Sequence, residues 1–361
     1  MGYEEFELII IGGGVVGLST ALAAAKSGVK SILCIDQHGV ANPFGASGDG
    51  LRLFRLSYFE HPAYVPLLRR AIESWQQLGD SLYCPVGGFY AGPLKSELIQ
   101  GSLESANLHG ISHDILPSET ARKQFPQFSL PQDYVVFVEQ EGGYVRAAQG
   151  TLAIGIAAQH RGVMIAEAKV MGIRPSGNRW LVEGSDFSAL ADRVIVAAGY
   201  ETSSLVPQLE PLLTKETHLL LWLEDMSRLY DEGPGFGIMN EMGEMLYGFP
   251  AVDDVPGVKV GGHHRFSSSS TDNQEARLLG LAKEFLHGLS GTVLSQKICP
   301  YDMSPDGNFM FGEVEPGLSV ACGFSGHGFK FGPVLGELAW QAATDGLPKE
   351  LAFLMVNRYL K

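Results

Sequence analysis

Cysteine is scarce in this chain. Cys34, Cys84, Cys299 and Cys322 are the only four in 361 residues, and none forms a CxxC pair. That scatter argues against a zinc site and a disulfide framework, and it suits a reducing, cytoplasmic setting. Positive charge is also short: 26 Lys and Arg stand against 40 Asp and Glu, a net charge of −14. No basic block stands out, so a nucleic-acid surface is not expected. No uninterrupted apolar stretch is long enough to span a bilayer. The apolar run 8–11 passes straight into a glycine turn, unlike a signal peptide. What the chain does have is glycine, 45 residues of it, and an apolar fraction of 45%. That is material for one large or two medium domains.

The first glycine cluster is Gly12-Gly13-Gly14-Val15-Val16-Gly17, directly after the apolar run 6–11. Such a run is typical of a strand buried on both faces of a sheet. Gly12 suits a tight turn, Gly14 lets backbone approach a pyrophosphate, and Gly17 lets a following helix pack close. Residues 16–27 are rich in Ala and Leu and read as that helix. Its N-terminus offers free N–H groups and a positive dipole end to a phosphate. Residues 31–35 read as a second strand, closed by Asp36. A carboxylate there suits a ribose 2′-hydroxyl rather than a 2′-phosphate. A glycine fingerprint alone is a weak signal, but strand, helix, strand and terminal acid together specify a dinucleotide site.

Further along, helices are expected over 64–78, 95–108, 119–125 with Ser118 as N-cap, 147–161, 275–286 and 334–344. Strands are expected at 87–91, 163–166, 170–173, 180–182, 192–199, 218–223, 245–249, 258–262 and 318–322. The fold class is α/β: a Rossmann-type nucleotide domain plus a substrate domain with a mixed or antiparallel sheet. Both are discontinuous. The nucleotide domain takes 1–82, 145–205 and 308–361, and the substrate domain takes 83–144 and 206–307. A second glycine cluster, Gly323-Phe324-Ser325-Gly326-His327-Gly328-Phe329-Lys330, lies between the strand at 318–322 and the last helix. Paired with the first, it favours a flavin over a nicotinamide.

At this point the chain resembles the D-amino-acid-oxidase-like FAD flavoproteins, in their monomeric sarcosine oxidase and N-methyltryptophan oxidase branch. The resemblance spans nearly the whole chain. It rests on Gly12–Gly17 with Asp36, Arg52-x-x-Arg55, Tyr247-Gly248-Phe249-Pro250, 257–263, Cys299-Pro300-Tyr301 and 323–330. It implies an enzyme that oxidises the C–N bond of a secondary amino acid, passes electrons through FAD to oxygen and releases hydrogen peroxide. A dehydrogenase of the same fold, serving another electron carrier, is the alternative. The resemblance implies cofactor contacts from Gly12, Gly14, Val15, Val16, Gly17, Asp36, Gln37, Arg52, Val170, Gly199, Cys299, Gly323, Gly326, His327, Gly328 and Lys330. It further implies a thioether from Cys299 to the flavin, a carboxylate clamp of Arg55 and Lys330, and catalytic positions for Lys259, His263, Arg52 and Tyr247. Substrate and oxygen are the expected partners, and a monomer is the expected state.

Each assignment has an ordinary competitor. Cys299 could be a buried apolar cysteine, Lys259 an exposed strand lysine, Arg52 and Arg55 members of surface ion pairs, and Tyr247 a packing residue. Arg52 lies one helical turn from Arg55 if that segment is helical. His264 would point away from His263 on a strand, and His327 reads as structural. Gly262 and Tyr200 stand where the branch carries tyrosine and tryptophan. Both departures are expected to alter the lining and size of the substrate cavity. The stretches 225–237 and 267–272 are also unlike the branch.

Overall fold

The computed structural model describes residues 3–48, 50–252, 256–263, 266 and 271–360. The apolar strand Glu4–Ile11 is the centre of the first sheet. It pairs in parallel with Ile32–Asp36 on one side and Ser188–Val196 on the other. Met164–Glu167 continues the sheet beyond Ile32–Asp36. The end of Ser188–Val196 pairs in parallel with Leu318–Cys322, which in turn holds Met310–Glu315 antiparallel. Val170–Ser176 and Arg179–Gly184 add an antiparallel hairpin at the start of Ser188–Val196. Parallel strands covered on both faces require continuous apolar sequence, and residues 8–11, 32–35, 194–196 and 318–322 supply it, all buried. The helices Val15–Lys26 and Gly332–Thr344 pack on one another so closely that a Cβ on Gly336 would lie 2.1 Å from the Ser19 backbone.

The second sheet has eight strands. In spatial order they are Leu289–Met303, Thr214–Asp225, Val258–His263, Met245–Gly248, Gly235–Met239, Gly88–Pro93, Tyr134–Glu139 and His113–Pro117. All neighbours are antiparallel except Gly235–Met239 with Gly88–Pro93. Side chains alternate between its faces. Leu219, Leu221, Val258 and Val260 enter a core with Leu278, Leu281 and Phe285 of the helix Thr271–Phe285. The opposite face presents Leu220, Trp222, Cys299 and Tyr301, with Lys259 opposite Trp222 in the register. A small third sheet joins Leu51–Phe54, Gly143–Arg146 and Tyr83–Cys84.

Three details differ from the sequence reading. Ser118 is the first residue of its helix rather than the cap. Pro117 holds the cap position, and the Ser118 hydroxyl donates to Gln132 O at 3.0 Å. Arg52 sits in the strand Leu51–Phe54, so it is not a helical turn from Arg55. Strands at Tyr134–Glu139, Gly143–Arg146, Gly235–Met239 and Leu289–Met303 went unread; glycines or mixed polarity hide the last three, whereas Tyr134–Glu139 is an apolar run without that excuse. No helix among the described residues is long and apolar enough to cross a membrane.

Candidate active site

A cavity of ≈ 440 Å³ runs from the first glycine turn to the inner face of the second sheet. At the first end, Gly12 has φ +111°, and a Cβ there would lie 2.3 Å from Ala197 O. A Cβ on Gly17 would lie 1.8 Å from Gly12 O. Gly17 therefore lets the helix seat on the turn and does not itself line the cavity, unlike Gly12, Gly14, Val15 and Val16. Asp36 closes its strand with a carboxylate oriented through both oxygens. Oδ2 accepts from Gly13 N at 2.7 Å, and Oδ1 accepts from His38 N at 2.9 Å and Asn42 Nδ2 at 3.1 Å. The helix Val15–Lys26 has no side-chain cap from Gly14 and no acid in its first turn. Its N-terminus opens on the cavity, and Ser47 reaches over from a distant loop to accept from Val15 N at 3.0 Å. A glycine cradle, a bare helix N-terminus and an acid at the next strand end fit the pyrophosphate and ribose of a dinucleotide. Gln37, Val170, Gly199 and Tyr200 line the same stretch of wall.

The other end is built from side chains. Lys259 is only 3% exposed, which removes the surface-lysine reading. Its Nζ donates to Leu51 O at 3.0 Å and lies 5.1 Å from the Trp222 ring and 5.4 Å from the Phe249 ring. Cys299, buried and in no disulfide, shares that face. Tyr247, on the neighbouring strand, lines the cavity, and burial pushes its hydroxyl up to about 12. His263 stands at the strand end with its ring 6.4 Å from that of Tyr301. Arg52 lies in the wall. Its guanidinium donates to Leu51 O, Ala46 O and Gly48 O at 2.8–3.0 Å, and so pins the loop that carries Ser47.

Arg55 and Lys330 both line the cavity and are both buried. Arg55 Nη2 pairs with Glu60 Oε2 at 2.5 Å, and its guanidinium lies 4.0 Å from the Phe59 ring centre. Its Nε and Nη1 are buried with no hydrogen-bond partner among the described residues. Lys330 Nζ donates to His327 O at 2.9 Å. Burial drives its pKa down to about 7; Glu60 opposes that fall and the charge of Arg55 adds to it. A guanidinium and an amine poised to take up a proton thus share a buried corner with the carboxylate of Glu60, an arrangement that favours an incoming anion.

In the second glycine cluster, Gly326, His327 and Gly328 line the cavity, but Gly323 does not. The N–H of Gly323 points instead at Asp302, donating to Oδ2 at 2.7 Å. Ser325 N donates to Asp302 O at 3.0 Å, so Asp302 anchors the turn from beneath. Burial raises the Asp302 carboxyl to about 6 against the pull of the N–H groups of Phe324, Asp302 itself and Gly323. His327 is satisfied on both nitrogens, by Tyr58 OH at 2.5 Å and Gly307 O at 2.9 Å. Ser47, Glu60, Tyr301 and Asp302 all line the cavity and were missed in the sequence. Only the closeness of Asp302 and Tyr301 to Cys299 could have flagged any of them.

Gly262 corrects another expectation. It lies on the helix-covered side of its strand, where a Cβ would come within 2.3 Å of the Phe266 ring. Its smallness therefore accommodates the core and does not enlarge the cavity. Tyr200 does line the cavity, with its ring 3.7 Å from Lys215 Nζ. His264 and 267–270, and the side chains of 271 and 272, lie outside the described residues.

Comparison with known proteins agrees with this geometry. The pattern of the family described as FAD dependent oxidoreductase (DAO) matches residues 7–342. N-methyl-L-tryptophan oxidase of Yersinia pestis (strain Pestoides F) is 30% identical over 364 residues, covering 94% of this chain and 95% of that one. Among solved structures, NikD, described as an unusual amino acid oxidase essential for nikkomycin biosynthesis, superposes with TM-score 0.79 at 22% identity. That match covers 96% of this chain and 95% of NikD. Amadoriase I of Aspergillus fumigatus, a fructosyl amine:oxygen oxidoreductase, superposes with TM-score 0.80 at 18% identity, covering 99% and 90%. At those identities the structural likenesses speak for the fold alone. The family match and the full-length relative together identify the chain: it is an enzyme of the FAD dependent oxidoreductase (DAO) family.

Proposed function

We propose that the chain oxidises the C–N bond of a secondary amino acid, N-methyl or cyclic, to an imine, with oxygen reduced to hydrogen peroxide. The carrying observation is the corner of Arg55 and Lys330. It has two buried guanidinium nitrogens without hydrogen-bond partners among the described residues, in the same cavity as the dinucleotide cradle. The name of the full-length relative supports an N-substituted amino acid as the substrate class. FAD, when bound, supplies the two-electron acceptor for this chemistry. Asp36 and the N-terminus of the helix Val15–Lys26 would hold its ribose and pyrophosphate. Arg55 offers a fork for the substrate carboxylate and Lys330 a point charge. Tyr247 and His263 line the space left for the amine. Lys259, buried near Leu51 and Trp222, would supply a positive charge to stabilise oxygen as it is reduced, which favours oxygen over another carrier. Cys299 would supply the thiol for a thioether to the flavin, the two electrons of that oxidation passing to the flavin and on to oxygen, and Arg52 holds the loop that carries Ser47. In domain terms, 1–82, 145–205 and 308–361 carry the cofactor, and 83–144 and 206–307 carry the substrate wall. The boundary runs through the small third sheet.

The direct assay is peroxide release from purified protein across N-methyl and cyclic amino acids in air. Release from at least one, dependent on its carboxylate, is expected; reduction of an artificial carrier without peroxide would point to the dehydrogenase. Acid denaturation tests Cys299: flavin stays with the wild-type precipitate and leaves with the supernatant in Cys299→Ala. Complete loss from the wild type refutes the thioether.

A further inference from the structure

Glu139 is fully buried and does not line the cavity. It ends the strand Tyr134–Glu139 of the second sheet. Its carboxylate crosses to the segment after Leu51–Phe54, accepting from Leu56 N at 2.9 Å and Ser57 N at 2.8 Å. These two N–H groups immediately follow Arg55. Tyr90 OH donates to the same carboxylate at 3.4 Å, and the Tyr90 ring lies 5.6 Å from the Arg55 guanidinium. Glycines make room for the arrangement. A Cβ on Gly142 would sit 2.8 Å from Glu139 Oε1, and one on Gly88 would sit 2.5 Å from Tyr90 OH. A buried carboxylate is costly unless it is well bonded. This one is bonded to backbone that has no ladder of its own, because the strand ends at Phe54. The N–H bonds and the nearby positive charge of Arg55 together offset part of the burial that raises the Glu139 pKa.

We propose that Glu139 is a positioning residue for Arg55. Its carboxylate clamps the backbone from which Arg55 projects, and so sets the affinity of the site for carboxylates. The inference rests on the reading of Arg55 as a carboxylate ligand. The clamp explains how a guanidinium with two unpartnered nitrogens keeps its direction in an apolar corner. Glu60 engages only Nη2, and the Phe59 and Tyr90 rings constrain the plane but not the reach. A donor fork is useful only if its backbone origin is fixed.

The test uses flavin-loaded protein with methylthioacetate as a carboxylate probe, read by the perturbation of the flavin absorbance. Glu139→Gln keeps the shape, removes the charge and turns an amide N–H toward backbone donors. It should weaken probe binding by about tenfold or more, with flavin content unchanged. With saturating substrate, kcat should fall by less than about threefold, so the loss appears in KM. In an Arg55→Ala background the same change should have no further effect on the probe, which a merely structural role would not produce. Unchanged probe affinity in Glu139→Gln, or an equal loss in both backgrounds, overturns the clamp. If Arg55→Ala itself leaves the probe unaffected, the carboxylate reading fails and the clamp fails with it; an effect of Arg55→Ala without one of Glu139→Gln sinks the clamp alone. Should Glu139→Gln not yield holoprotein, Tyr90→Phe removes one donor to the same carboxylate and should weaken the probe about threefold; no change there is equally fatal.

Discussion

The two ends of the cavity are built on different principles. The dinucleotide end is local and made of backbone: Gly12, Gly14, Gly17, one helix N-terminus and Asp36 fall within 25 consecutive residues. The amino-acid end is assembled from side chains on distant segments: Arg55 after one strand, Lys259 and His263 on another, Cys299 on a third, and Lys330 beyond a glycine turn. The first end tolerates no added atoms, and the second tolerates no lost charge. Substitutions should therefore fail differently at the two ends.

The largest effect is expected at Gly17. A Cβ there has no space within 1.8 Å of Gly12 O, so Gly17→Val should yield protein without flavin, visible as loss of yellow colour on purification. Flavin-loaded Gly17→Val would show that the close helix seat is dispensable.

Next come the charges. Arg55→Ala and Lys330→Ala should each weaken carboxylate binding by about tenfold or more, since a charge-assisted hydrogen bond contributes roughly 1.5–3 kcal/mol. Neither should remove the flavin, which is the contrast with Gly17. Titration with methylthioacetate measures both.

The comparison sharpens with pH. Lys330 in the free site has its pKa lowered to about 7 by burial. A bound carboxylate favours the charged amine and raises that pKa. Above about pH 7, binding must then take up a proton, and affinity should fall by up to about tenfold per pH unit. Below it, affinity should be flat with respect to this group. The slope should vanish in Lys330→Ala. A wild-type profile that is flat above neutrality would mean the amine is already charged in the free site.

The smallest effect on activity is expected at Gly262. Because its Cβ would press on Phe266 in the helix-covered core, Gly262→Ala should cost about 1–3 kcal/mol of stability, read by thermal melting. Its kcat/KM should stay at the wild-type value. A changed substrate preference without a stability loss would return Gly262 to the cavity wall.

The same contrast explains what the sequence disclosed. The βαβ unit with its glycine turn and closing acid was legible residue by residue, because it depends on the spacing of glycines and one acid along a single stretch of chain. The other end was legible only through resemblance. Nothing near Lys259 in the chain announces that Leu51 O accepts its hydrogen bond, or that Glu139 holds the backbone that follows Arg55. Gly262 was misplaced because a glycine states that space is needed without stating on which side of the strand. Gly323 was misplaced because the N–H groups at the start of its turn are spent on Asp302 and not on the cavity.

The central claim is that a substrate carboxylate, held by Arg55 and Lys330, brings a secondary amine to the flavin. Its most direct test is anaerobic mixing of the yellow protein with matched pairs, each an N-methyl or cyclic amino acid and the same amine lacking its carboxylate. Bleaching of the visible flavin band by at least one acid, and far slower bleaching by its carboxylate-free partner, is the predicted result. Equal bleaching within every reactive pair, or none by any secondary amino acid, contradicts it.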